Sequence, residues 1–310
     1  MGRPVGTSNR DVAQQTATTH ADEVSNGERT TRPDADGIDF DCARRPSRES
    51  GGTMSLVRDR LGGTGPSRFP RGRTVVAALA ITVAALAVGV VGIVVTGAVE
   101  SLLGVGDTAV VRVLDGNYIQ IGFAAFAVAY LLWRGDWERY VKVRRPTVED
   151  AGWILVIPVV FAAQSVVLPP ILAAVGLPHP NPTTGNEQLA LETRPLLWPV
   201  AFVGLYLFAA PAEELVYRGI VQGRLRESFD TVGVVLFGGL LFGFMHFLVG
   251  LLTWGVALGG SIYWGLSTTI PGLVWGYAYE RTENLAVTAV THAMSWTIAV
   301  HEIVLQFLPV

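Results

Sequence analysis

The apolar run Leu196 to Ala212, and the residues Pro211-Ala212-Glu213-Glu214-Leu215-Val216-Tyr217-Arg218-Gly219 that close it, decide how this chain is read. The run is long enough to enter a bilayer, yet it ends on two adjacent carboxylates and an arginine. Ionisable groups inside a membrane cost about 2.5–3.5 kcal/mol each on insertion scales, so three in one stretch imply a use or a mutual pairing. On a helix, Glu214 and Arg218 stand at i and i+4 and can neutralise each other. Glu213 lies about 100° round the helix from Glu214 and is left without that partner. An apolar setting disfavours its charged form, which suits a general base working near neutral pH. A structural ion-pair cluster at a membrane boundary would use the same three residues.

Working outward, the composition is that of a membrane protein. Half of the chain, 50%, is hydrophobic and only 16% is charged, with a mean hydropathy of +0.41. These values average over residues 1–70, which are polar, so the remainder is more apolar still. The net charge of -3 argues against nucleic acid as a partner. A single cysteine, Cys42, excludes an intrachain disulfide framework and supplies no thiolate for a metal site within the membrane.

Residues 1–70 are rich in Thr, Asp, Arg, Ser, Gly and Pro without apolar periodicity, the signature of a disordered polar tail. No apolar stretch follows a short basic start, so this is not a signal peptide. Met54 opens a shorter frame leading through several arginines to the first span, and the native chain is expected to start there. Residues 71–150 hold two charge-free runs, Thr74 to Val99 and Tyr118 to Trp133, and then a basic loop from Arg134 to Asp150. Residues 151–310 form the core. The third span, Gly152 to Gly176, is expected to break at Pro169-Pro170. The fourth helix continues through Glu213 towards Glu227, and after a turn at 228–230 a fifth runs from Val232 to about Val249. One long or two shorter helices fill 250–280, and the last runs from Leu285 to Leu308. The fold class is therefore all-α, a polytopic transmembrane bundle of about seven to eight spans. Positive-inside counting puts the N-terminal tail, the 134–150 loop and the 218–226 region in the cytoplasm, and 178–195 outside.

Three histidines, His246, His292 and His301, lie on apolar helices. Glu213 precedes the turn at 229–230 by about 16 residues and His246 follows it by about 16, so an antiparallel pair brings them to equal depth. His292 follows the turn at Asn284 by about eight residues and is expected to be shallower. A lone histidine on such a helix more often makes an interhelical hydrogen bond than performs catalysis, and His301 is read in that way. His301-Glu302 does not complete an HExxH zinc motif. Gly104-Val105-Gly106-Asp107 spells GxGD but has no second aspartate on the flanking runs.

Taken together, Glu213-Glu214-Leu-Val-Tyr-Arg218, Phe242 to His246, and His292 resemble the three signatures of the CAAX-protease and bacteriocin-processing (Abi) family of intramembrane proteases: EExxxR, FxxxH and HxxxN or HxxxD. The resemblance covers about residues 150–305. It implies a glutamate, Glu213, that activates a water for attack on a peptide carbonyl, with His246 holding that water. His292 and the residue four on would stabilise the oxyanion, and Glu214 and Arg218 would hold the helix and its carboxylate. Glu213, His246 and His292 would also suit Zn2+ with an open fourth position, and otherwise no cofactor is expected. The pattern departs from the family at Trp296, where Asn or Asp is the rule. Trp296 brings one N–H donor and no acceptor, and Ser295 is an alternative donor.

The expected function is thus an intramembrane endopeptidase in the cell membrane. Its partners are membrane lipid and a membrane-associated peptide or protein, with CAAX-type C-terminal processing as one form. The alternatives are an inactive relative serving as a membrane scaffold or immunity factor, and a proton-coupled transporter using Glu213 and the histidines as a relay.

Overall fold

The computed structural model describes residues 70–297 except 107, 178, 180–193 and 254. The expectations for the 1–70 tail, a start at Met54, the 178–195 loop beyond His179, and His301 lie largely or wholly outside these residues. Among the described residues there are helices and loops and no strand, so the chain is an all-α membrane protein.

Helix α1, Arg71–Leu103, carries no charge between Arg73 and Glu100 and stops where Gly104 turns left-handed at φ 65°. The short α2, Ala109–Leu114, meets α3, Ile119–Arg134, at a bend of 51°. A single turn, α4 (Trp137–Tyr140), follows. Helix α5, Val148–Ala174, begins with a capping box in which the Thr147 hydroxyl and the Asp150 carboxylate each accept from the other's backbone N–H. It is not broken at Pro169-Pro170 and runs on to Ala174; each proline forgoes its own N–H bond alone, and the bonds of the residues around it carry the helix on. The decisive stretch lies on α6, which is continuous from Pro195 to Leu225, as the sequence reading expected. Helix α7, Thr231–Leu252, is capped by Asp230, whose carboxylate accepts from Gly233 N at 2.9 Å. Helix α8 is Leu258–Thr282 and helix α9 is Leu285–Thr297.

Among the described residues, fewer helices than the expected seven to eight spans have the length and composition needed to cross a membrane. Four helices, α1, α5, α6 and α7, are long and apolar enough to cross a membrane, and up to five if bent α2–α3 counts as one span. Helix α8 falls short in character: Ser261, Ser267, Thr268, Thr269, Glu280 and Arg281 lower its hydropathy. Of α9, 13 residues are described.

Side-chain distribution is the inverse of a water-soluble bundle. Val94, Val95, Leu132, Leu155, Val203 and Leu207 are exposed on the helix exteriors, whereas Glu213, Glu214, Arg218, Gln222 and His292 are buried. Polar groups within the bilayer belong in the bundle interior, where they find each other. Small residues permit the tightest helix contacts. A Cβ on Gly239 of α7 would stand 2.9 Å from Leu273 N of α8, and one on Gly272 would stand 3.0 Å from the Gly239 Cα and carbonyl oxygen. On the other side, a Cβ on Gly92 of α1 would come 2.8 Å from Gly122 N of α3.

A polar latch ties the basic loop to the α8–α9 turn. Arg144 forks onto Asp150 at 2.8 and 2.9 Å and donates through Nε to Thr282 O at 2.8 Å. Leu285 N donates to Lys142 O at 2.8 Å. This sets the starting point of α9 and hence of His292.

Candidate active site

Glu213 and Glu214 occupy an ordinary α turn, Ala210–Glu214, between two wider π-helical stretches, Phe202–Ala209 and Leu215–Val221. Such wide turns are frequent at functional sites because they shift the register of the side chains that follow. Arg218 Nε donates to Glu214 Oε2 at 3.0 Å, as the i,i+4 spacing implies, and Arg218 Nη1 donates to Gly272 O at 3.1 Å. Both partners of this ion pair have fully buried side chains. The guanidinium also lies over the Phe242 ring, 5.0 Å from its centroid, within cation–π range. The glycine after the arginine has a steric reason: a Cβ on Gly219 would stand 2.8 Å from the Tyr140 carbonyl oxygen. The single turn α4 packs there against α6.

The two histidines are anchored alike. His246 Nδ1 lies 3.0 Å from Phe242 O. A carbonyl only accepts, so Nδ1 carries the hydrogen and the neutral ring presents an Nε2 lone pair. His292 Nδ1 lies 2.9 Å from Glu214 Oε1, and the same argument applies. Glu214 therefore orients His292 while its charge is balanced by Arg218. The two Nε2 atoms each approach a different oxygen of Glu213. His246 Nε2 stands 3.9 Å from Oε1, and His292 Nε2 stands 3.9 Å from Oε2.

Aromatic rings pack this centre. Phe242 contacts both imidazoles, with centroids 4.6 Å from His246 and 6.0 Å from His292. His292 lies between Trp275, stacked at 4.2 Å, and Trp296, tilted at 4.4 Å. The Trp275 indole N–H is used on Thr291 Oγ1 at 3.0 Å.

All five residues singled out from the motifs, Glu213, Glu214, Arg218, His246 and His292, thus meet in one place. His292 reaches Glu213 and Glu214 although helical rise alone would leave it shallower, as it can where the two turns sit at different levels. Of the two oxyanion candidates, Trp296 lies against His292, while Ser295 is exposed and its hydroxyl donates to His292 O at 2.6 Å. One neighbour was not foreseen. Gln120 of α3 donates from Nε2 to Glu213 Oε2 at 3.0 Å. The available signal was a lone carboxamide inside the uncharged run Tyr118 to Trp133.

The zinc expectation meets a geometric difficulty. Donors sharing one tetrahedral zinc at about 2.0–2.2 Å stand about 3.3–3.6 Å apart. Here each imidazole faces a different oxygen of Glu213 at 3.9 Å. Among the described residues no three His, Cys, Asp or Glu side chains are grouped to hold a metal ion. As they stand, the three side chains do not fit the ion.

What the arrangement offers chemically is a buried carboxylate flanked by two nitrogen lone pairs, each aimed by a fixed Nδ1 bond. Residues 195–298, which run from the start of α6 through α9, match the family model described as type II CAAX prenyl endopeptidase Rce1-like. This segment is similar to the Rce1-like family. Every motif residue of the site falls inside the Rce1-like segment, and Gln120 falls outside it. The Rce1-like family is one of proteases, so the chemistry to be expected is peptide-bond hydrolysis. No curated protein and no solved structure matches the chain.

Proposed function

We propose that the chain is an intramembrane endopeptidase that uses Glu213 to activate water against a peptide bond of a membrane-associated substrate. The observation that carries this reading is the pair of 3.9 Å gaps between Glu213 and the two imidazole nitrogens. A carboxylate oxygen and an Nε2 lone pair are both acceptors and cannot bond to each other. Groups separated by that distance are commonly joined by a water, which brings two O–H donors. A water shared by Glu213 Oε1 and His246 Nε2 has its own lone pairs turned away from both and free to attack.

In the attack, the water oxygen bonds to the carbonyl carbon and its proton passes to Glu213. The carbonyl oxygen takes the negative charge, for which donors close by are needed. The indole N–H of Trp296, whose ring lies against His292, is the group proposed for that task. Collapse of the tetrahedral species breaks the C–N bond, and the proton held on Glu213 leaves with the amine. Glu214 and Arg218 are proposed to keep His292 aimed throughout.

The substrate class proposed, which the family description supports, is a protein or peptide with a CAAX-type C-terminus, presented from the membrane. A multi-pass cell-membrane protein with its N-terminal tail and basic loop in the cytoplasm fits the distribution of arginines. One observation favours a second reading. Trp296 stands where the family pattern has Asn or Asp, which suits an inactive relative acting as a scaffold.

The deciding experiment is cleavage of a fluorogenic prenylated CAAX-type peptide by the purified protein in detergent. Turnover that disappears in Glu213→Gln and His246→Ala, with unchanged thermal unfolding, is the expected result. Full turnover in either variant would refute the assignment, and a folded wild-type protein that cleaves no peptide would favour the scaffold.

A further inference from the structure

Gln120 is 5% exposed and comes from α3, outside the Rce1-like segment. Its Nε2 donates to Glu213 Oε2 at 3.0 Å, while its own Oε1 is buried without a hydrogen-bond partner. A buried amide oxygen left unpaired is costly, and an apolar side chain of the same size would avoid that cost. The amide is therefore not there for packing. What it achieves is a single bond to the one carboxylate of the site that lacks an arginine.

That bond has two consequences for Glu213. The terminal torsion of a glutamate is broad and poorly restrained on its own, and a donor fixed on another helix restrains it. The bond also makes the two oxygens unequal. Oε2 is engaged by Gln120 and lies on the His292 side, so Oε1 keeps its lone pairs and faces His246.

We propose that Gln120 is a positioning residue for Glu213, holding its carboxylate so that Oε1, on the His246 side, is the oxygen that receives the proton. The proposal rests on the reading of Glu213 as general base. The placement of α3 does not depend on the amide. Phe123, one turn along, meets the Tyr217 ring edge-on at 6.4 Å, and Gly122 packs directly on the α1 backbone. Gln120→Leu is accordingly expected to fold.

The test compares wild type, Gln120→Leu, Gln120→Asn and Glu213→Gln as full-length protein in detergent, with the same prenylated peptide. Gln120→Leu is expected to lower kcat at least tenfold, to leave KM within threefold and to leave the thermal unfolding temperature unchanged. Gln120→Asn, which keeps the amide on a shorter stem, should lose less. A kcat for Gln120→Leu within twofold of wild type, with Glu213→Gln inactive, overturns the positioning role alone. A fall in kcat accompanied by a matching loss of thermal stability overturns it as well, since Gln120 would then serve the fold. Wild-type turnover in Glu213→Gln instead removes the general-base reading itself.

Discussion

Replacing Arg218 by methionine removes the charge that balances Glu214 while keeping much of the apolar stem. Both side chains are fully buried and joined at 3.0 Å, and the guanidinium also satisfies Gly272 O at 3.1 Å. Removing one partner of a buried ion pair costs about 3–5 kcal/mol, because the other charge is left uncompensated. The freed Gly272 carbonyl adds about 1 kcal/mol. Arg218→Met should therefore shift the folding equilibrium by about three to four orders of magnitude, at about 1.4 kcal/mol per factor of ten. The assay is unfolding in mixed micelles of increasing denaturing detergent, followed by tryptophan fluorescence. Adding Glu214→Gln to Arg218→Met takes the stranded charge away, and exchanging a whole buried pair for neutral groups is often close to neutral. The double variant should thus recover more than half of the loss. A single variant within about 1 kcal/mol of wild type, or a double no better than the single, would refute the view that Glu214 is held as a buried carboxylate by Arg218.

Three further outcomes can be checked. Gly272→Val places a branched side chain where a Cβ already stands 3.0 Å from the Gly239 Cα, so a loss of about 1–3 kcal/mol is expected in the same unfolding assay; wild-type stability would mean that α7 and α8 can part without cost. Purified protein should carry well under one zinc per chain by elemental analysis, and one tightly held zinc whose removal ends turnover would show that Glu213, His246 and His292 rearrange around a metal. The Lys142 ammonium beside Glu283 holds that carboxyl below its ordinary value of 4.5. A depressed folded-state value stabilises the fold above 4.5 and ceases to do so as pH falls through the lowered value. Glu283→Gln should therefore be less stable than wild type at pH 7, the difference vanishing in strong acid; a gap that persists there would assign it to something other than charge.

Much of the site was legible because its chemistry is local to helices. The spacing of Glu214 and Arg218 implies their bond, and equal distances from one turn imply that Glu213 and His246 meet. What escaped notice depends on contacts between distant segments. Gln120 is 93 residues from Glu213, and nothing in the periodicity of either helix announces that they touch. The same holds for His292, whose depth was judged from helical rise although its place is set by the Glu214 side chain and the loop latch at Lys142. Fewer spans than the seven to eight expected are found among the described residues, in part because α8 is helical throughout yet studded with hydroxyl-bearing and small residues. The π-helical turns flanking Glu213 leave no mark in a run as uniformly apolar as Phe202 to Ala209.

The anchoring of both imidazoles through Nδ1 reaches beyond orientation. Each neutral ring turns a lone pair towards Glu213, His246 on the Oε1 side and His292 on the Oε2 side, so acceptors flank the carboxylate. Such a centre attracts guests that bring N–H or O–H groups and repels those that bring only lone pairs. Cleaving an amide makes one fragment of each kind: an amine, rich in hydrogens, and a carboxylate, which has none. On the proposed reading, the acceptors that favour water beside Glu213 before the reaction disfavour the new carboxylate there after it.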